Sequence, residues 1–349
     1  FGEGKTLGYG LMVAGLEVTG HPEMPLYARY IEPGSPAAQA GLLRGDQIET
    51  INGKTSAQVI SSGNYDDLSA FDTGETLVLG VHDSSGNDRQ VTLTSAIYNL
   101  VPVPNTAVIT STLGRKMGYV MVKDMIDQAL TPYDAAFAQF KAAGVEEVVL
   151  DLRYNGGGLI SVADKLASYP NAPATNGNIF SSLIYNDRKQ GYNENFRFPN
   201  YANATGLARV YVLTGPRTCS ASEQVINGLR PYVNVVTIGD TTCGKPVGFL
   251  PTADGCGTVI NAVNFEVVNS MNQGRYFDGF DASCPVAEDF SQPIGSSGDP
   301  LLAAARDHAD GLGCPALAAS AKTKILGLRK PAERPHWRES FDRQGMIGK

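Results

Sequence analysis

The 349-residue sequence is 42% hydrophobic, with 39 glycines and a formal charge of -7, which suits a folded acidic protein with a sizeable core and room for two domains. That balance argues against a nucleic-acid binder, which shows a basic stripe interleaved with aromatics. No apolar run approaches the roughly 20 residues that span a bilayer, and no charged-then-apolar leader opens the chain; a start at Phe1 is expected of a processed or trimmed chain from which targeting information is missing.

In chain order, "LGYGLMV" (7–13) carries two glycines, and "LYARYIEPGSPAAQAGLLRGDQIETINGKTS" (26–56) opens with an alternating strand, "LYARYI". Pro33-Gly34 turns the chain, a short Ala-rich helix starts near Ser35 and is closed by Gly41, and "DQIETING" reads as a second strand ending in an Asn-Gly turn. With Gly34-Ser35-Pro36-Ala37, Ala40-Gly41-Leu42, Gly45-Asp46 and Ile51-Asn52-Gly53 in this order, the stretch resembles a PDZ domain. That resemblance implies capture of a peptide's C-terminal carboxylate by the backbone N–H groups of Tyr9, Gly10 and Leu11, the peptide being added as a strand to a sheet edge. An ordinary hairpin turn, with the domain a passive spacer, is the plainer alternative.

Beyond the Pro-marked connector in "VTLTSAIYNLVPVPNT", strands and helices alternate. "GYVMVKDM" reads as a strand, and "TPYDAAFAQFKAAG" (131–144) as a helix with Thr131 as N-cap, Pro132 at its first position and Gly144 past its end. "VEEVVLDL" and "VYVLTG" are further strands, so the expectation is an α/β domain with a largely parallel central sheet. No internal repeat is evident.

Three loops carry chemistry. "IGDTTCGKPVG" (238–248) reads Gly-x-x-x-x-Gly-Lys after an apolar strand, one residue short of a phosphate-binding loop. The nucleotide reading fails because Pro246 supplies neither a hydroxyl for magnesium nor an N–H, and no helical pattern follows. In "VYVLTGPRTCSASEQVINGLRPY" a strand leads to Ser220-Ala221-Ser222-Glu223 at the start of an amphipathic helix with Val225, Ile226 and Leu229 on its apolar face. A serine there sits where unpaired amides favour a developing negative charge, which suits a nucleophile as well as a plain N-cap. "VVLDLRYNGGGLISVADKL" puts a Gly-Gly-Gly turn between strand and helix, where backbone N–H groups can approach a bound group closely.

Asp-Leu-Arg-x-Asn-x-Gly-Gly (151–158), Ser-Ala-Ser-Glu (220–223) and Gly-x-x-Thr-x-Gly-Lys (239–245), following a PDZ-like stretch, resemble the carboxyl-terminal processing peptidases, or tail-specific proteases. The likeness runs from about residue 7 to 310. It implies a mixed α/β chain in which a β-rich PDZ-like domain precedes a Clp protease/crotonase-like catalytic core with a Ser/Lys dyad. Ser220 would be the nucleophile and Lys245 its general base, with the amides of Ala221 and Gly157 as the oxyanion hole and Gly158 a close second. No metal or organic cofactor is implied.

A free lysine, with a pKa of about 10.4, must be desolvated to act as a base; Val247, Phe249 and Leu250 can wall such a pocket. Many family members carry a Gln four residues after the lysine, where this chain has Phe249, so the group orienting Lys245 is open. His21, His82, His308 and His336 lie away from any nucleophile-like turn, and a Ser/His/Asp triad is not expected. Cys219 is expected to pack as a small apolar residue, Ser222 to serve the helix start, and Arg153 and Asn155 to brace the glycine loop. The five cysteines (219, 243, 256, 284, 314) lack zinc-site spacing; their pairing is open, and their clustering late in the chain fits an exported, oxidised protein.

The expected organisation is a PDZ-like peptide-binding domain over 1–97, a Ser/Lys peptidase domain over 98–320, and a basic, solvated, partly disordered tail over 321–349. The function expected is that of a periplasmic, secreted or cell-envelope serine endopeptidase acting on proteins or peptides with apolar C-termini, with no nucleic-acid partner and no membrane span. The alternatives are a catalytically inactive PDZ scaffold and a nucleotide-binding protein. Nothing in the sequence sets the oligomeric state.

Overall fold

The computed structural model describes residues 3–13, 20–172 and 174–316, and the backbone of 345–347. The disorder expected of the tail falls on residues outside these, apart from Gly345–Ile347, which is a strand.

The strands Asn105–Thr110, Lys116–Met121, Glu147–Asp151, Arg209–Thr214, Asn234–Gly239 and Cys284–Pro285 form one sheet in that spatial order. The first pair is antiparallel and every later pair parallel, as the alternation of strands and helices predicts. Successive side chains of a strand point to opposite faces. Val148, Leu150, Val210 and Val212 therefore enter the core under the helices Leu130–Ala143, Ile160–Asn171 and Ala221–Leu229, while Val149, Tyr211 and Leu213 pack on the other face against Pro300–Ala309. Both faces are covered, which explains the unbroken apolar runs.

The helix read over 131–144 begins one residue earlier, at Leu130, continuing a 3-10 turn over Asp127–Ala129. Neither Thr131 as N-cap nor Pro132 at the first position holds. Pro132 is tolerated in the first turn because amides there have no intrahelical partner. Gly144 does close the helix, at φ 65°.

The N-terminal part has its own core around Leu26, Ile48, Ile51, Leu77 and Leu79. Ser35 caps the helix Pro36–Gln39 by accepting from the Ala38 N–H, and Asn52 and Gly53, both at positive φ, turn Gln47–Ile51 back into Lys54–Thr55. "LYARYI" is not one strand. Leu26–Tyr27 pairs with Gln47–Ile51 and Tyr30–Ile31 with Leu11–Met12; alternation reports which face is buried, and it continues through a change of partner. Arg44 joins this part to the rest, donating to Tyr154 Oη at 2.7 Å and to Glu288 Oε2 at 2.9 Å. Buried Lys123 lies 3.5 Å from buried Glu32, a second link between the two parts.

A second sheet runs in the order Gly157–Leu159, Gly345–Ile347, Val247–Phe249, Val263–Val268, Ile179–Tyr185, Glu194–Arg197. No described helix is long and apolar enough to cross a membrane.

Candidate active site

The three chemically marked loops lie far apart in sequence but leave the carboxyl ends of three adjacent parallel strands. The glycine loop follows Glu147–Asp151, the Ser220 turn follows Arg209–Thr214, and the Lys245 loop follows Asn234–Gly239. Crevices at such strand ends are where open α/β sheets hold their ligands.

Ser220 has φ 59° and ψ -115°, a region that L-residues avoid and that marks stored strain. The fold holds it there. Cys219 N–H donates to the Asn155 carbonyl at 3.0 Å, and Thr218 Oγ1 donates to the Leu152 carbonyl at 2.8 Å. The result places Ser220 immediately before the helix Ala221–Leu229, with its Oγ buried and without a hydrogen-bond partner among the described residues. Ala221, the first helical residue, is fully buried.

Two buried side chains tie the loops together. Asn155 receives the Gly157 N–H at 2.8 Å on Oδ1, gives its own Nδ2 proton to the Val122 carbonyl at 2.9 Å, and accepts from Ser222 Oγ, which is 2.8 Å from the same Oδ1. Glu223 joins serine to lysine. Its Oε2 accepts the Ser220 N–H at 2.9 Å and the Lys245 N–H at 2.8 Å, while its Oε1 accepts the Gly244 N–H at 2.8 Å and the Thr242 hydroxyl. Burial raises the Glu223 carboxyl above its ordinary range, against these hydrogen bonds, which favour the carboxylate. Reading Glu223 as a helix-start residue captures only its bond to Ser220; its partners some twenty residues downstream carry no sequence signal.

Cys219 is not a packed thiol. It is disulfide-bonded to Cys243, and Cys284 to Cys314, leaving Cys256 free and exposed. Its small size made it look like a core residue; the partner is set by the adjacency of the two loops. The Lys245 Nζ lies 5.4 Å from the centroid of the Phe249 ring, so the residue that replaces the expected Gln faces the amine.

Gly157 and Gly158 have φ of 105° and 142°, and a Cβ on Gly158 would fall 2.2 Å from the Met125 carbonyl oxygen. The Gly157 N–H is committed to Asn155. Along this strand the backbone of Gly345–Ile347 runs parallel, pairing with Gly157–Leu159 on one side and Phe249 on the other. Arg153 is buried against Asp151 and Asp299.

The proposed capture loop lies in the N-terminal part. Tyr9 and Gly10 give their carbonyls to the Ala37 and Glu32 amides, and Leu11 begins the strand Leu11–Met12. Among the described histidines, His21 meets Glu23, His82 meets Asp88 and His308 meets Tyr211; His336 is outside the described residues.

Residues 116–274 match the model of peptidase family S41, and residues 27–71 match that of a PDZ domain. The S41 match takes in the glycine loop, the Ser220 turn and the Lys245 loop. The chain is 29% identical to a carboxyl-terminal-processing protease of Synechocystis over 239 residues, 67% of this chain and 53% of that protein. It is 28% identical to the chloroplastic carboxyl-terminal-processing peptidase 3 of Arabidopsis thaliana, over 70% of this chain and 46% of that one. It thus spans about half the length of these relatives. A solved structure from Bacteroides fragilis assigned to the S41 proteases superposes with a TM-score of 0.71 at 29% identity, covering 88% of this chain and 84% of the other. The photosystem II D1 C-terminal processing protease shares the fold, with a TM-score of 0.54 at 20% identity.

Proposed function

We propose that this chain is a serine endopeptidase that cleaves proteins or peptides near their C-termini, with Ser220 as nucleophile and Lys245 as general base. The observation that carries the reading is the Ser220 turn: a strained, buried, unpartnered hydroxyl at a helix start, joined through one carboxylate to the lysine loop. Neutral Lys245 takes the Oγ proton as Oγ attacks the scissile carbonyl carbon, and returns it to the leaving amine; water then releases the acyl group with Lys245 again as base. The oxyanion is met by the N–H of Ala221 and, because Asn155 holds that of Gly157, by the N–H of Gly158.

The substrate enters as an extended strand. In support, the slot between Gly157–Leu159 and Phe249 accommodates the chain's own Gly345–Ile347 in that form. The amides of Tyr9, Gly10 and Leu11 receive the terminal carboxylate, and apolar residues before it complete recognition. We assign the capture domain to 1–97 and the catalytic domain to 98–320. Two disulfides support an oxidising location, periplasmic, secreted or at the cell envelope.

The test is cleavage of an unfolded protein with an apolar C-terminus. Ser220→Ala and Lys245→Ala should each lower kcat by about 10⁴-fold or more, and the double variant should be no worse, because the pair acts as a unit. Full activity in either single variant refutes the assignment; binding without cleavage at any pH favours the scaffold.

A further inference from the structure

Cys219 directly precedes Ser220, and Cys243 lies two residues before Lys245, so the Cys219–Cys243 bridge, with Cα atoms 5.2 Å apart, crosses between the two loops that carry the proposed dyad. The two cysteines are unequally buried. Cys219 is 1% exposed, whereas Cys243 is partly accessible. Cys243 Sγ also lies 3.5 Å from Glu223 Oε2, the oxygen that accepts the backbone N–H of both Ser220 and Lys245. The bridge is therefore part of the same small structure that sets serine against lysine.

We propose that the Cys219–Cys243 disulfide is a positioning element of the Ser220/Lys245 pair, and that a dithiol reductant which opens it slows turnover while leaving peptide capture intact. This rests on the dyad reading above. In the opening step a thiolate of the reductant attacks Sγ of Cys243, the less buried of the two residues, and the Cys219 sulfur leaves as a thiolate that takes a proton. The second thiol of the reductant then displaces Cys243, which also ends as a thiol. Two electrons and two protons pass to the protein and the reductant leaves as a cyclic disulfide.

Opening has two consequences. The lysine loop loses its covalent tie to the serine turn, and a new S–H donor appears beside Glu223 Oε2, in competition with the two amides that fix the dyad. The bond from the Cys243 N–H to the Thr218 carbonyl, 3.0 Å, and that from Cys219 N–H to Asn155 remain. The loops consequently stay close but lose register. A displacement of about 1 Å can lower a rate about 100-fold, and a fall in kcat of about 10- to 100-fold is expected.

The experiment uses the full chain carrying Cys256→Ser, which removes the exposed free thiol, and compares it with the same chain carrying also Cys219→Ala and Cys243→Ala. The expected result is a kcat lower by about 10- to 100-fold in the bridge-less protein, an altered pH profile of kcat, and a KM within about 2-fold, because only the reacting geometry has changed. A dithiol should bring the parent down to the same level, reversibly on reoxidation, and leave the bridge-less protein unaffected. Parental kcat and pH profile in the bridge-less protein overturn the proposal, as does an equal response of both proteins to the dithiol. If the bridge-less protein does not fold, alkylation mapping during reduction of the parent decides. Activity loss that tracks modification of Cys219 and Cys243 supports the proposal, and loss that tracks Cys284 and Cys314 overturns it. Ser220→Ala in the parent separates the two readings: Ser220-dependent cleavage indifferent to the bridge removes only this proposal, whereas cleavage that survives Ser220→Ala, or a parent with no cleavage, removes the dyad and this proposal with it.

Discussion

The proposed capture loop and the proposed catalytic loops are held in shape by different means. Tyr9 and Gly10 are fixed by backbone carbonyls bonded to the amides of Ala37 and Glu32, and by one glycine at φ 78° pressed against Ser35. The proposed catalytic loops add to backbone bonds and a disulfide two buried side chains, Asn155 and Glu223, that reach across to other segments. Backbone bonds survive most substitutions, whereas a side-chain hub fails as a unit, since its removal strands every donor that it satisfied. Chemistry should therefore be more fragile than peptide capture.

The largest expected effect breaks the catalytic side alone. Glu223→Ala leaves the four groups donating to it without that acceptor, at about 1–3 kcal/mol for each that stays dry. We expect kcat/KM to fall by about 10³-fold or more, with Glu223→Gln intermediate, and the affinity for an apolar C-terminal peptide, measured by calorimetry, to stay within about 2-fold. Equal losses of capture and catalysis would erase the contrast between the two regions.

Gly10→Ala should do the reverse. A Cβ there would meet Ser35 Cβ at 2.0 Å, on a backbone with φ 78°, so the loop must shift. Peptide affinity should fall by about 10-fold or more, while kcat on short peptides that need no capture holds within about 2-fold.

The smallest effect touches neither region. Burial raises the Asp164 carboxyl to about 7, and its Oδ1 is buried without a partner among the described residues. An unfolded Asp titrates near 3.9, so between about pH 4 and pH 7 the folded state holds the extra proton, and stability falls as pH rises through that window. Asp164→Asn should remove this dependence, adding on the order of 1–2 kcal/mol at pH 8 and little near pH 4, with activity unchanged. Denaturant unfolding at the two pH values measures it; a pH-independent difference would contradict the assigned titration.

The same contrast explains what was legible. Ser35 before Pro36, the Asn52-Gly53 turn and Gly144 after a helix are local signals, and each lies where its chemistry requires. The parallel sheet was legible because both of its faces are buried, and the three marked loops because each follows a strand. Pairing was not. The split of "LYARYI" between two partners, the Cys219–Cys243 bridge, the reach of Glu223 to Gly244 and Lys245, and the strand at Gly345–Ile347 all depend on which distant segments become neighbours. Residue types and spacing along one chain do not encode that adjacency.

The most direct test of the central claim is covalent: label the protein with a serine-directed acylating probe across pH about 6 to 10 and map the adduct by mass spectrometry. The account predicts a single adduct on Ser220 whose rate rises with one ionisation well below the free-lysine value of about 10.4, and no adduct in folded Lys245→Ala. An unlabelled Ser220 in a protein that still cleaves peptides, or equal labelling after Lys245→Ala, would contradict it.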